Sequence, residues 1–220
     1  MEMLQFACWF SPVLKGQKAI KNAIAALHHL GGTFFSYDQN LNRYPVLNPT
    51  SESCVIEPES GFFEIQHSLF GSEIINGGLI PQSGYLMLMV DANYIDNRDN
   101  EEHAQALLKL AFNLYSMLQP VFCWVDGAGY DTPNEKEIAT LNLRKLMWAN
   151  FYGPEYVDKY GREFLLNAPG WKKEELNDGG IAYIISPSYL KRTEIVSAKE
   201  TTAFFEPKTK VKIYQPIPFD

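Results

Sequence analysis

Four histidines and three cysteines are the side chains of this sequence best suited to metal binding or nucleophilic catalysis. His28 and His29 are adjacent, so on a helix they point about 100° apart and are poorly placed to bind one metal ion. Cys8 and Cys123 each precede a tryptophan in a predicted strand, where a cysteine usually acts as a small core side chain. No Cys-x-x-Cys or His-x-x-x-His spacing occurs. We therefore expect no metal, no cofactor and no catalytic thiol.

Carboxylates cluster in two segments, each of which follows a predicted strand. The first segment contains Asp91, Asp96, Asp99, Glu101 and Glu102, and the second contains Asp126, Asp131, Glu135 and Glu137. The first does not match a calcium loop, because Ile95 and Asp96 stand where that loop needs a polar residue and a glycine. Many of these charges suit the N-termini of helices. The remainder predict an acidic protein-binding face rather than a catalytic pair of carboxylates.

Two tyrosines in the same segments are suited to filling pockets on a partner protein. The predicted partner-binding residues are Asp91, Tyr94, Asp96, Asp99, Glu101, Glu102, Asp126, Tyr130 and Asp131. The glycine cluster at 126–130 lacks the third glycine and the Lys-Ser/Thr pair of nucleotide-binding loops, so we interpret it as a turn. No serine nucleophile elbow occurs either. We predict no catalytic residues.

The composition is typical of a folded protein. Of 220 residues, 46% are hydrophobic, 20% are charged and 14% are aromatic. A net charge of −7 disfavours nucleic acid as a partner, because such proteins concentrate Lys and Arg against phosphates. No apolar run is long enough to span a bilayer, no signal peptide is evident, and three scattered cysteines argue against a disulfide framework. We expect a cytoplasmic protein with reduced thiols that binds no nucleic acid and no membrane.

Helical and strand-like periodicities alternate along the chain. Residues 4–37 predict a strand, a helix and a second strand, and residues 85–125 predict the same order. Because both units have the same order of elements, we predict an α+β fold of two β-α-β-type lobes. Its sheet would be mixed or antiparallel, and the two lobes would be a pseudo-duplication. We predict one domain over residues 1–220, within which such a duplication would give lobes at 1–80 and 81–220.

Local signals place several shorter elements in the first half. Residues 38–60 are rich in Asn, Pro and Ser and predict a long loop. The Gly-Gly and Pro of residues 76–81 predict a turn between two strands. Asp99 is a predicted helix N-cap, with Glu102 at the capping-box position.

The second half carries equally clear local signals. Thr132 and Pro133 predict the start of a helix that runs to about residue 145. Residues 146–152 predict a strand, followed by a short helix after the Gly-Pro-Glu at 153–155. The Asn-Asp-Gly-Gly turn inside 171–186 predicts a hairpin.

Three short segments, which lie within residues 146–187, resemble a loose family of bacterial proteins encoded beside polymorphic or type VI secreted toxins. The segments are WANFYGPEYV at 148–157, Gly161-Arg162, and LNDGGI at 176–181. The resemblance implies an immunity protein that neutralises a cognate toxin by stoichiometric binding. Two alternatives stay open: an enzyme with an unrecognised active site near the 38–60 loop or the acidic segments, and a binding module of another bacterial or phage system.

Overall fold

The computed structural model describes residues 3–10, 17–50, 53, 62–70, 74–80, 84–91, 97–127, 133–143, 145–189, 198–210 and 212–213. These residues contain strands β1 (Met3–Trp9), β2 (Thr33–Tyr37), β3 (Arg43–Val46), β4 (Phe62–Gln66), β5 (Ile74–Ile80), β6 (Tyr85–Asp91), β7 (Phe122–Gly127), β8 (Lys145–Leu146), β9 (Ala149–Tyr152), β10 (Lys172–Glu175), β11 (Ile181–Ile184) and β12 (Lys212–Ile213). The α-helices are α1 (Gln17–His29), α2 (Asn97–Leu118), α3 (Glu135–Ala139), α4 (Pro154–Tyr160), α5 (Arg162–Leu166) and α6 (Ala198–Phe205).

Ten strands form one antiparallel sheet in the order β10-β11-β9-β7-β1-β6-β5-β4-β2-β3, and β8 pairs with β12 in parallel. The α+β class is confirmed, as are the two strand-helix-strand units, β1-α1-β2 and β6-α2-β7. The units share the sheet, because β1 of the first lies between β6 and β7 of the second. The structure does not confirm a duplicated two-lobed arrangement, and the single domain over residues 1–220 stays a prediction.

Helices α1 and α2 cover one face of the sheet, here called face A. Alternation along each strand sends every second side chain to this face, as Leu4, Phe6 and Cys8 of β1 illustrate. The same cluster extends from Phe34 of β2 to Ile184 of β11 and includes the apolar sides of both helices. The main core therefore runs under nearly the full width of the sheet.

Among the described residues, apolar packing on the opposite face, face B, lies over the half of the sheet that includes β7, β9 and β11. Ala7 and Trp9 of β1 mark this face, and they cluster with residues of α3, α4, α5 and α6. Aromatic rings dominate the cluster: Phe122 lies 5.6 Å from Trp124 and 5.5 Å from Tyr152, measured between ring centroids. Each such pair adds about 1 kcal/mol beyond simple burial.

The Gly-Gly at residues 77–78 lies inside β5, so the turn predicted at 76–81 is wrong. A Cβ atom on Gly77 would lie 2.2 Å from the ring of Phe63 in β4, whereas one on Gly78 would meet nothing closer than Met87 Cε at 3.5 Å. Gly77 is therefore required by close packing between strands rather than by a turn.

Three helix boundaries, one in α2 and two in α3, differ from the sequence-based prediction. α2 begins at Asn97, so Asp99 lies in its first turn, where a carboxylate suits the helix dipole, and is not the N-cap. The cap of α3 is Asn134, which exchanges hydrogen bonds with Glu137, whereas Thr132 lies outside the described residues. α3 ends at Ala139, well before residue 145, because Leu141 adopts a left-handed conformation with φ 48°.

Other predicted elements are confirmed. β9 and α4 follow one another as the Gly-Pro-Glu signal predicts, and β10 and β11 form the hairpin.

Within the 38–60 segment, which was predicted to be a loop, Arg43–Val46 forms the edge strand β3. Among the described helices, none has the length and apolar content needed to cross a membrane.

Candidate partner-binding surface

The two acidic segments begin at the same end of the sheet. β1 begins there, while β6 and β7 end there on either side of it, because Met3 pairs with Asp91 and Leu4 pairs with Gly127. We call this region the acidic end. Two strand spacings separate β6 from β7, which is about 10 Å. The ends of β6 and β7, at which the two segments begin, are therefore neighbours across β1.

Asp126 is buried at the acidic end, and its carboxylate forms hydrogen bonds with the backbone of the same chain. Its Oδ2 accepts a hydrogen bond from the backbone N–H of Trp148 at 3.0 Å, and its Oδ1 accepts one from Gly127 at 2.7 Å. Only 1% of the residue is exposed. Asp126 therefore holds the bend at residue 148, just before β9, against β7, and its carboxylate is directed into the protein.

Glu101 joins the first turns of α2 to residues 187–189. Its Oε2 accepts a hydrogen bond from the Ser188 hydroxyl at 2.7 Å, and its Oε1 accepts the N–H of Tyr189 at 3.3 Å. Gln105 reinforces this connection, since its amide nitrogen donates to Glu101 at 2.9 Å and to the Pro187 carbonyl at 2.8 Å. Glu101 thus contributes to internal order at the acidic end.

A chain of contacts runs between Asp126 and Glu101. The indole Nε1 of Trp148 donates to the Ser186 carbonyl at 3.0 Å, and the Ser186 hydroxyl donates to the Ser188 carbonyl at 2.6 Å. The rings of Trp148 and Tyr189 meet edge to face, with centroids 5.6 Å apart. Glu101 of the first acidic segment and Asp126 of the second are therefore fixed relative to one another, although sequence reasoning assigned Trp148 and Ser186 no role here.

The other predicted residues vary in what the structure describes. Glu102 is exposed on α2. Asp91 ends β6 and Asp99 lies in the first turn of α2, and only their backbones are described. Four predicted residues lie outside the described part of the chain: Tyr94, Asp96, Tyr130 and Asp131.

The two thiols nearest the middle of the sheet lie side by side. Cys8 and Cys123 are directly opposite one another on β1 and β7, and both are fully buried. Burial, together with a hydrogen bond to Cys8, raises the pKa of the Cys123 thiol. A thiol held in its neutral form is a poor nucleophile and a poor metal ligand. Among the described residues, no three His, Cys, Asp or Glu side chains converge as a metal site would require.

No protein-family model matches this sequence, and no curated protein matches it. A solved structure that is similar to this chain is the Pseudomonas aeruginosa T6SS protein PA0821. The two share 10% sequence identity with a TM-score of 0.48, and the alignment covers 96% of this chain and 74% of the other.

Proposed function

We propose that this chain is a cytoplasmic immunity protein, which neutralises a cognate bacterial toxin by stoichiometric binding and performs no catalysis. The resemblance at residues 148–157 and 176–181 supports the proposal, and so does the position of that first segment. Trp148, the first residue of the resembling segment, lies within the contacts that order the acidic end. The family-like segment would then act by shaping the recognition surface.

The observation that carries the proposal is that the two acidic segments begin at the same end of the sheet, on either side of β1. Toxins that attack nucleic acids present basic grooves to their substrates. An acidic protein with a net charge of −7 can be attracted to such a groove and block it. The carboxylates of Asp126 and Glu101 accept hydrogen bonds from groups within the protein. The charges that attract the toxin would therefore be Glu102 on α2, Asp99 and Asp96. Tyr94 and Tyr130 would supply the buried aromatic contacts that hold the complex.

The proposal is tested by removing these three charges together. We expect the variant Asp96→Asn, Asp99→Asn, Glu102→Gln to associate with the toxin encoded by the neighbouring gene about tenfold more slowly at low salt than the unchanged protein. The difference should shrink at physiological salt, because ions screen the attraction beyond about 8 Å. Stopped-flow association at both salt concentrations measures the effect.

A matched control changes the net charge equally at a different place. Glu163, Glu174 and Glu206 are exposed on α5, on β10 and after α6, and changing all three to Gln removes three negative charges away from the acidic end. This control should retain most of the association rate. Equal slowing in both variants would show that overall charge, and not the acidic end, governs the encounter. If the toxin encoded by the neighbouring gene does not bind the unchanged protein, the proposed immunity function is refuted.

A further inference from the structure

Cys8 and Cys123 are free, fully buried thiols near the middle of the sheet. They lie directly opposite one another on β1 and β7. Both side chains belong to the core of face A, and α2 packs against both of their strands. The side chain of Cys123 forms a hydrogen bond with that of Cys8. The fold therefore brings two oxidisable sulfur atoms into contact, although the residues are far apart in sequence.

The backbone of Cys8 forms its hydrogen bonds with β6 and not with β7. The N–H of Phe10 donates to the Gly84 carbonyl at 2.8 Å, in register with the pairing of β1 with β6. Along an antiparallel strand, successive residues direct their N–H and C=O groups alternately to the two neighbouring strands. Cys8, two residues before Phe10, therefore directs these groups toward β6.

The backbone of Cys123 likewise forms its hydrogen bonds away from Cys8. The N–H of Gly153 donates to the Val121 carbonyl at 2.9 Å, in register with the pairing of β7 with β9, so Cys123 directs its polar groups toward β9. The two cysteines are thus a non-hydrogen-bonded pair, the kind in which Cα atoms are about 4.5 Å apart and side chains are closest. A disulfide requires a Cα separation of roughly 4.4–6.8 Å. The register therefore suits a covalent bond between the two sulfur atoms.

We propose that Cys8 and Cys123 are a latent disulfide site, at which hydrogen peroxide converts the two thiols into a bridge between β1 and β7. The pair is reduced in this structure, and the bridge forms only when an oxidant is present. Peroxide suits the site because it is uncharged and nearly as small as water. Larger disulfide reagents and oxidoreductases need an exposed sulfur atom, and neither thiol is exposed. The proposal is independent of the proposed immunity function.

The two thiols have different roles in the reaction. The Cys8 sulfur, as a thiolate, attacks one oxygen of hydrogen peroxide, so that an S–O bond forms, the O–O bond breaks and the other oxygen leaves as water. Burial raises the pKa of the Cys123 thiol, so this residue keeps its proton until the second step. Its sulfur then attacks the Cys8 sulfur, the S–S bond forms as the S–O bond breaks, and the Cys123 proton leaves with that oxygen as water. In total the thiols lose two electrons and two protons, and peroxide is reduced to two water molecules.

The bridge has a measurable effect on stability. It joins residues 8 and 123 and so restricts the unfolded chain over about half of its 220 residues. A disulfide that closes a long loop in this way stabilises the folded state mainly through the unfolded state. We expect the bridged protein to melt about 4–16 °C higher than the reduced protein.

The variant Cys54→Ser tests the proposal, because Cys8 and Cys123 are then the remaining cysteines. The folded protein is treated with hydrogen peroxide, and any free thiols are then blocked with iodoacetamide under denaturing conditions. We expect the intact mass to fall by about 2 Da with no blocking group added. Peptide mapping should find residue 8 linked to residue 123 within one chain, and a reductant should restore both thiols and the original melting temperature.

Two matched controls each retain a single thiol. Cys8→Ala and Cys123→Ala, both made in the Cys54→Ser background, should show neither the mass loss nor the rise in melting temperature after the same treatment. The proposal is overturned if the peroxide-treated protein keeps both thiols free, if it contains sulfinic or sulfonic acid in place of the bridge, or if the disulfide joins two molecules. A bridged protein that melts no higher than the reduced protein also overturns it.

Discussion

Replacing Asp126 with alanine tests whether the acidic end depends on internal order. The carboxylate accepts the N–H of Trp148, which is fully buried, and the N–H of Gly127, which is only half-buried. The substitution leaves the Trp148 N–H without its acceptor in a place that water does not readily reach. An unsatisfied buried donor costs about 1–3 kcal/mol, whereas water can replace the contact at Gly127. We therefore expect a loss of about 1–3 kcal/mol in the free energy of unfolding.

For a chain of this size, each kcal/mol lowers the melting temperature by about 2–4 °C, so the expected fall is about 2–12 °C. Urea unfolding followed by tryptophan fluorescence measures the free energy, and calorimetry measures the melting temperature. Asp126→Asn retains one acceptor oxygen and should cost less than Asp126→Ala. Glu163→Ala, at an exposed site on α5, should change stability by no more than about 0.5 kcal/mol.

A melting temperature within 1 °C of the unchanged protein for Asp126→Ala would refute the structural role, since the estimate allows no such result. If that stable variant also bound the toxin more weakly, Asp126 would belong to the recognition surface, as the sequence alone predicts.

Two further outcomes follow from packing and burial. Gly77→Ala should cost about 1–3 kcal/mol in urea unfolding, because its Cβ would lie 2.2 Å from the Phe63 ring, while Gly78→Ala should cost much less; equal effects would contradict the packing argument. Burial is the main cause that raises the pKa of five tyrosines: Tyr85, Tyr115, Tyr152, Tyr156 and Tyr183. Because the folded-state pKa of each phenol is raised, the folded protein favours the neutral phenol. The contribution of this preference to the free energy of unfolding is complete below the unfolded pKa near 10 and is lost as pH rises beyond it. These phenols should therefore ionise together with unfolding. Absorbance at alkaline pH, compared with circular dichroism, checks this: five phenols that ionise while the fold is intact would disprove it.

Local periodicity was sufficient for most elements of the fold. The β-α-β units, the hairpin at 171–186 and the short helix after Gly153 depend on contacts between near neighbours and on turn residues, which the sequence displays directly. The prediction failed where distant packing decided the outcome. Gly77 resembles a turn residue in isolation, and only the ring of Phe63 on the neighbouring strand explains it.

The positions of the two acidic segments could be predicted from the sequence, but the roles of their individual side chains could not. The sequence indicated acidic segments after two strands, and the order of the sheet brought them together at β1. Whether a carboxylate faces a partner or the protein depends on which donors the fold places beside it. For Asp126 that donor is the Trp148 N–H, and for Glu101 it is the Ser188 hydroxyl, 22 and 87 residues away.

The α+β class, the absence of common catalytic motifs and the acidic character of two segments could all be predicted from the amino-acid sequence, because composition, periodicity and spacing are local properties. Three other features appear only once the chain is folded: the strand register that places the free thiols of Cys8 and Cys123 opposite one another, the inward direction of Asp126 and Glu101, and the exposed strand β3 at the end of the sheet order. Each depends on strand order, and strand order follows from the burial of the whole sheet beneath α1 and α2. No single segment carries that information, since a strand's neighbour is chosen by the combined fit of all apolar faces.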